Sequence, residues 1–313
     1  MGAILHIHNK TMPPDKSSGG ANRLAHWLAL EQIKHGHKVY VMSHSGSSCG
    51  DYNFINIEPN IPFEVLETKI PDDVTDIEVH GGLSAKVVDK LLDKYKRSIQ
   101  IFHAGRGGGK KNVFLSMSHA KNANSSVYAY NGIPVEEYIY SEEKENFFLF
   151  LAKVKRSKKG VDTAIRLSKK NNSKLIIAGG RRLANPETWF SWHPLIKPVG
   201  YVDGPEKFSL ISRAKALIVP IRWEEPFGLT VIEAMASGTP VIAFNRGAMK
   251  ELIIDVETGF ICENEDEMLD VMSKVNLISP KACRDHAANK FSSFAMYEKH
   301  KELLDVAGSG KIW

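Results

Sequence analysis

The stretch Glu225-Pro226-Phe227-Gly228-Leu229-Thr230-Val231-Ile232-Glu233-Ala234-Met235-Ala236-Ser237-Gly238-Thr239-Pro240-Val241-Ile242-Ala243 decides how the rest of the chain is read. Phe227 and Gly228 precede a short apolar run, whose stop is marked by Gly238 just past a helix end and by Pro240 two residues later. Residues 241–244 then read as an apolar strand. The spacing predicts a loop, a helix and a strand, with Glu225 in the entering loop and Glu233 within the helix. The amides of Gly228, Leu229 and Thr230 open that helix, where they have no intrahelical acceptor and where the helix dipole attracts an anion, most naturally a phosphate. Carboxylates on either side accept hydrogen bonds from hydroxyls. A nucleotide sugar, with hydroxyls at both ends and phosphate between them, has the matching layout.

Outward from this unit, apolar strand candidates alternate with amphipathic helical stretches, the pattern of a parallel sheet covered by helices. A first set is predicted as strands at 4–7, 38–41, 77–80, 99–103, 113–115 and 127–130, with helices at 22–34 and 84–96. The polar run 136–146 carries no apolar period and reads as a linker. A second set follows, with strands at 147–151, 174–178 and 216–220, helices at 161–169 and 205–214, the opening stretch itself, and a tail helix at 293–306. The 313 residues, 43% of them hydrophobic, suffice for two α/β cores. The expected domains are 1–140, 147–292 and a C-terminal helix in 293–313 that crosses back to the first.

Composition narrows the setting. No run approaches the roughly 18 consecutive apolar residues that span a bilayer, and Met1-Gly2 leads directly into a strand without a basic segment and long apolar core. Cys49, Cys262 and Cys283 are odd in number and form no C-x-x-C pair, which fits a reducing cytoplasm and gives no zinc or redox site. The net charge of +5 comes with no nucleic-acid-binding module; it is compatible with phosphate ligands and with peripheral contact at an inner membrane face.

The E-x7-E arrangement at Glu225 and Glu233, with its Pro-Phe-Gly-Leu insert and trailing Ala-Ser-Gly-Thr-Pro-Val-Ile-Ala, resembles the signature of retaining glycosyltransferases with the GT-B fold, the group 1 or family 4-like enzymes. That resemblance implies two facing Rossmann-like domains with an inter-domain cleft. It implies that Glu225 faces the donor sugar, Glu233 binds the ribose, and the amides of Gly228, Leu229 and Thr230 hold the diphosphate. In the same family a cation at the end of the second domain's first strand and another before a Lys-Gly pair clamp the diphosphate. The counterparts are Lys153 and Lys159 in Ala152-Lys153-Val154-Lys155-Arg156-Ser157-Lys158-Lys159-Gly160, with Ala152-Lys153 in place of Gly-Arg and Lys158 a rival for the second cation. Lysine keeps the charge and loses the bidentate fork of arginine.

The other site positions follow from the same likeness. Gly19 and Gly20, before the helix at 22–34, match a Gly-Gly loop that approaches the donor or acceptor, and glycine permits that closeness. Gly179, in Gly179-Gly180-Arg181-Arg182, is implied beside the nucleotide, and Tyr201 lies where relatives hold the base. His103 ends a strand, where α/β proteins place chemistry, and matches a histidine that contacts the donor sugar; His80 is its rival. His6, His8, His26, His35 and His37 read as packing or surface residues, and no histidine pair has metal-ligand spacing.

The expected reaction moves a sugar from a nucleoside diphosphate sugar to a hydroxyl acceptor with retention. Glu225, His103, Lys153 and Lys159 take the catalytic roles. No cofactor or metal is expected, since the chain has no D-x-D motif. UDP-glucose is the favoured donor, ahead of GDP-mannose, and the acceptor is a carbohydrate, a lipid-linked glycan or a small molecule. The competing expectations are a non-catalytic nucleotide-sugar-binding subunit, and an epimerase or phosphorylase on the same fold.

Overall fold

The computed structural model describes residues 2–15, 19–48, 51–105, 107–180, 193–310 and 313, which fall into two compact units. The first comprises Met1–Ile133 and Ser292–Trp313. Its strands are β1 (Ala3–Ile7), β2 (Val39–Ser43), β3 (Asn53–Asn56), β4 (Val74–Val79), β5 (Ser98–Ile101) and β6 (Asn112–Val113). They form one parallel sheet in the order β3-β2-β1-β4-β5-β6. The central strand β1 is buried at all five positions, as a run without polar alternation requires. The terminal helix Ser293–Gly308 belongs to this unit. Ser293 Oγ meets Glu31 Oε2 at 2.7 Å, Tyr297 stacks on His35 with centroids 4.6 Å apart, and Asp305 accepts from Arg97 at 2.7 Å.

The second unit, Pro134–Phe291, contains β7 (Phe148–Leu151), β8 (Leu175–Ala178), β9 (Ile196–Gly200), β10 (Ala216–Val219), β11 (Val241–Phe244) and β12 (Gly259–Cys262). These are also parallel, in the order β12-β11-β10-β7-β8-β9. Read from its other edge, this is the topology of the first sheet. Each sheet has one point where the strand order reverses, between β1 and β4 and between β7 and β10. Doubly wound sheets bind ligands beyond the carboxyl ends of the strands at such points.

The signature helix is Leu229–Ala236, and its end is built as the sequence predicts. Gly238 has φ +72°, its N–H donates to Met235 O at 2.9 Å, and Thr239 N–H donates to Ala234 O at 2.9 Å. This is a Schellman closure, in which a glycine takes the left-handed conformation and its own amide and the following one satisfy orphan carbonyls. Val231 through Ala236 are all buried, which explains a helix with almost no polar face.

Three differences from the sequence reading have physical causes. Residues 127–130, expected as a strand, make only an isolated bridge, Tyr128 to Phe114, because the two-residue β6 offers almost no edge to extend. Strands β3, β9 and β12 were not expected. Asparagines flank β3, and β9 carries Pro198, a residue suited to an edge strand, which β9 is. The polar run 136–146 has no regular period yet is held down at single side chains. Tyr138 is 3% exposed and packs on Phe208, and Lys144 Nζ donates to Ser212 O (2.8 Å), Ser237 O (3.2 Å) and Thr239 Oγ1 (3.0 Å). Burial pushes the Lys144 ammonium down to about 8. Among the described residues no helix is long and apolar enough to cross a membrane.

Candidate functional site

The loops after β7 and β10 leave from either side of the second unit's reversal point, and they meet. The first of them closes with Gly160 at φ +75°, and a Cβ there would lie 2.0 Å from Pro220 O. Arg222 N–H donates to Lys158 O at 2.9 Å, so the two loops are stitched through backbone. Lys159 Nζ forms an ion pair with Glu225 Oε2, and Trp223 Nε1 donates to the same oxygen at 2.8 Å. Lys158 Nζ instead sits over the Trp223 ring, 3.3 Å from its centroid. The geometry thus separates the two rival lysines: Lys159 goes to the signature carboxylate and Lys158 to the indole. Lys153 is exposed and makes no side-chain ion pair among the described residues.

The entry to the signature helix is anchored from behind. Phe227 is buried and packs edge-on against Phe291, with centroids 6.0 Å apart. Gly228 has φ +120° as the helix N-cap, leaving the Leu229 and Thr230 amides at the free end of the helix. A cavity is lined by Ala152, Lys159, Glu225, Gly228 and Thr230, which places a cation, a carboxylate and a helix N-terminus together. A carboxylate engaged by both a cation and an indole is held in one orientation.

Glu233 lies deeper, 4% exposed, and its Oε1 accepts from Lys207 Nζ at 2.8 Å and from Tyr138 OH at 3.0 Å. Neither Lys207 nor Tyr138 was singled out in the sequence, and no local pattern marks them. Gly247 was missed for the same reason. Its φ is +56°, and a Cβ would lie 2.3 Å from both N and O of Glu225, while its own N–H donates to Glu224 Oε2 at 2.8 Å and Ala248 N–H donates to Glu225 O at 3.0 Å. Gly247→Ala is expected to destabilise the protein by about 1–3 kcal/mol through backbone strain alone and to displace Glu225; urea denaturation with a parallel activity assay measures both.

Gly179, at φ +119°, is fixed by its neighbours: a Cβ would lie 2.0 Å from Ala152 O, and its N–H donates to Gly200 O at 2.7 Å. That contact brings the turn after β8 next to Tyr201, which is 59% exposed. Arg181 and Arg182 lie outside the described residues, as do Ser17 and Ser18 in the first glycine loop. Gly19 is the N-cap of helix Gly20–Lys34, and among the described residues beyond its chain neighbours nothing lies within 4 Å of where its Cβ would be. Open space there permits the close approach that the glycine loop was expected to allow.

In the first unit, His103 follows β5 and His80 follows β4; His80 Nδ1 and His103 Nε2 are 3.2 Å apart. His6, read as a packing residue, continues the contact, its Nδ1 lying 3.0 Å from His80 Nε2. Burial pushes the His103 imidazole down to about 3 and His80 well below the usual range, and His8 down to about 4, with the neighbouring imidazoles acting in the same direction. These rings are neutral at physiological pH. His6, Glu78 and His80 also have ligand atoms within 4.8 Å of one another, a clustering that sequence spacing did not reveal.

Residues 136–284 match the model of the glycosyl transferases group 1 family. The matched segment includes the loop–helix–strand unit from Glu225 to Ala243. Glycogen synthase of Mycobacterium tuberculosis is 41% identical over 68 residues, 22% of this chain and 16% of that protein. The chain spans well under half the length of the curated relatives it matches, 30% and 41% for two others. Two solved structures share the GT-B fold of this chain. AviGT4, involved in avilamycin A biosynthesis, has a TM-score of 0.77 at 18% identity, with 100% of both chains covered. HepE of Anabaena, solved with UDP-glucose, has a TM-score of 0.70 at 13% identity, covering 97% of this chain and 100% of that one. The group 1 segment contains Lys153, Lys159, Gly179, Tyr201, Glu225 and Glu233, whereas Gly19, Gly20 and His103 lie outside it.

Proposed function

We propose that this glycosyltransferase moves a sugar from a nucleoside diphosphate sugar to a hydroxyl acceptor with retention of configuration and without a metal ion. The observation that carries the reading is the Lys159–Glu225–Trp223 cluster beside the open N-terminus of helix Leu229–Ala236. The sugar C1–phosphate oxygen bond breaks, the acceptor oxygen bonds to C1 on the same face, and the acceptor proton passes to the leaving phosphate. Charge grows on that phosphate, so preorganised cations and amides supply the stabilisation. Lys159, Lys153 and the amides of Gly228, Leu229 and Thr230 take that role. Glu225 orients the sugar, Glu233 receives the ribose, and Gly179 and Tyr201 border the nucleotide. In the first unit, Gly19 and Gly20 admit substrate and His103 accepts a hydrogen bond from a substrate hydroxyl. UDP-glucose is the favoured donor, in keeping with the ligand of the similarly folded HepE. The acceptor belongs to the carbohydrates, lipid-linked glycans or small hydroxylated molecules. A cytoplasmic setting is proposed because Cys262 and Cys283 are buried free thiols, each pushed up to about 12 by burial.

A thermal-shift panel of UDP, GDP and dTDP sugars tests this reading. One donor at 100 times its dissociation constant is expected to stabilise the protein by about 2.7 kcal/mol. Glu233→Ala should abolish that increment relative to its own unliganded baseline, and it should lower the baseline by about 3–5 kcal/mol because Lys207 stays buried without its carboxylate. Glu233→Gln keeps an acceptor for Lys207 and serves as the folded control. Absence of any shift in the wild-type protein would remove the donor-site assignment.

A further inference from the structure

Five hydrogen bonds join six side chains across the first unit. His300 Nδ1 meets Glu78 Oε2 at 2.6 Å, and Gln32 Nε2 meets Glu78 Oε1 at 2.7 Å. His6 Nε2 lies 2.6 Å from Gln32 Oε1, His6 Nδ1 lies 3.0 Å from His80 Nε2, and His80 Nδ1 lies 3.2 Å from His103 Nε2. The chain runs from a carboxylate that is fully buried on β4 to the imidazole after β5. We infer that Glu78, acting through Gln32, His6 and His80, fixes the tautomer of His103 so that its Nδ1 is a hydrogen-bond acceptor toward substrate.

The direction of every bond follows from one end. Burial alone would raise the Glu78 carboxyl, but His300 and the hydrogen bonds from His300 and Gln32 hold it below its ordinary value, so it is ionised. An ionised carboxylate only accepts. Gln32 must therefore turn its amide nitrogen to Glu78 and its oxygen to His6, which places the His6 proton on Nε2. A neutral imidazole carries one proton, so His6 Nδ1 accepts from His80 Nε2–H, and His80 Nδ1 in turn accepts from His103 Nε2–H. Burial lowers all three imidazoles and keeps them neutral. What remains is the lone pair on His103 Nδ1, a buried atom with no hydrogen-bond partner among the described residues.

This deepens the reading of His103 given above and rests on it for the identity of what is bound. A lone pair there suits a hydroxyl or amide donor and repels a phosphate or carboxylate oxygen. Glu78, Gln32, His6, His80 and His300 are then positioning residues. The same bonds argue against a cation held by His6, Glu78 and His80. Both Glu78 oxygens are already engaged, and the two facing nitrogens of His6 and His80 share a proton that a cation would have to displace.

Long-range ¹H–¹⁵N spectra of the histidine-labelled full chain at neutral pH, without substrate, decide the matter. The expected result is a protonated Nε2 and an unprotonated Nδ1 in His6, His80 and His103, with His103 losing its single tautomer in folded Gln32→Leu. A wild-type His103 that is charged, or protonated on Nδ1, would overturn the inference even if the variant fails to fold. So would Zn²⁺ that shifts the ring nitrogens of His6 and His80 together. His103→Ala that leaves UDP-glucose binding intact would overturn the contact role alone, since the tautomer is read without substrate.

Discussion

Lys159→Ala is expected to lower the rate of UDP release from UDP-glucose by about 10²- to 10³-fold, the loss seen when one preorganised donor to a developing anion is removed. In the resting site Lys159 is already committed to Glu225, so its ammonium is positioned before a ligand arrives and two of its three protons remain for phosphate oxygens. Trp223 still donates to Glu225 in the variant, so the fold should survive with a change of about 1 kcal/mol or less, as for a partly exposed pair. Lys159→Arg should recover part of the rate, and Lys158→Ala should cost far less, because Lys158 rests on the indole. Steady-state kinetics with all three variants checks the ranking. Equal losses for Lys158→Ala and Lys159→Ala would break it.

Acidification from pH 7.5 to 5 is expected to destabilise the protein strongly, and the histidines of the first unit are the cause. His8 is held down to about 4 by burial, then by His6 and Lys10, whereas the unfolded chain takes up its proton near 6.5. Between those two values the unfolded state binds more protons than the folded state. Stability is therefore full above 6.5 and is lost as pH falls toward 4. At about 1.4 kcal/mol per pH unit, His8 alone removes about 2 kcal/mol by pH 5. His6, His80 and His103 are all depressed and act in the same direction. Urea titrations at a series of pH values should show the midpoint falling steadily below pH 6.5, with a shallower fall in His8→Gln. A midpoint independent of pH across that range would show that these rings charge freely in the folded chain.

The parts of the protein legible in sequence are those whose physics is local. Gly238 and Pro240 announced the helix stop because a left-handed residue and a missing N–H act within one turn. Glu225 and Glu233 were readable because both sit on a single loop–helix unit, whereas Lys159 rested on its likeness to a family Lys-Gly pair, with Lys158 left as its rival. Trp223 stands two residues from Glu225, yet nothing in its spacing says that the indole returns to that carboxylate. Lys207, Tyr138 and Gly247 reach the signature from 26, 95 and 22 residues away (233 − 207, 233 − 138 and 247 − 225), as through-space partners that only the sheet order brings near. The histidine chain is the extreme case. Its members come from two strands, two post-strand loops and two helices, and His300 is 222 residues from Glu78. Residues 127–130 show the converse failure, since an apolar run specifies a strand only where a neighbour offers an edge.

On the proposed reading, the donor's diphosphate lies against Lys159 and the amides opening helix Leu229–Ala236. ³¹P NMR of UDP-glucose titrated with the wild-type protein and with folded Lys159→Ala tests it most directly. Both phosphorus resonances are expected to shift and broaden on saturable binding to the wild type, and the perturbation to be lost or sharply reduced in the variant. Equal perturbation by both proteins, or none by the wild type with any nucleoside diphosphate sugar, would contradict it.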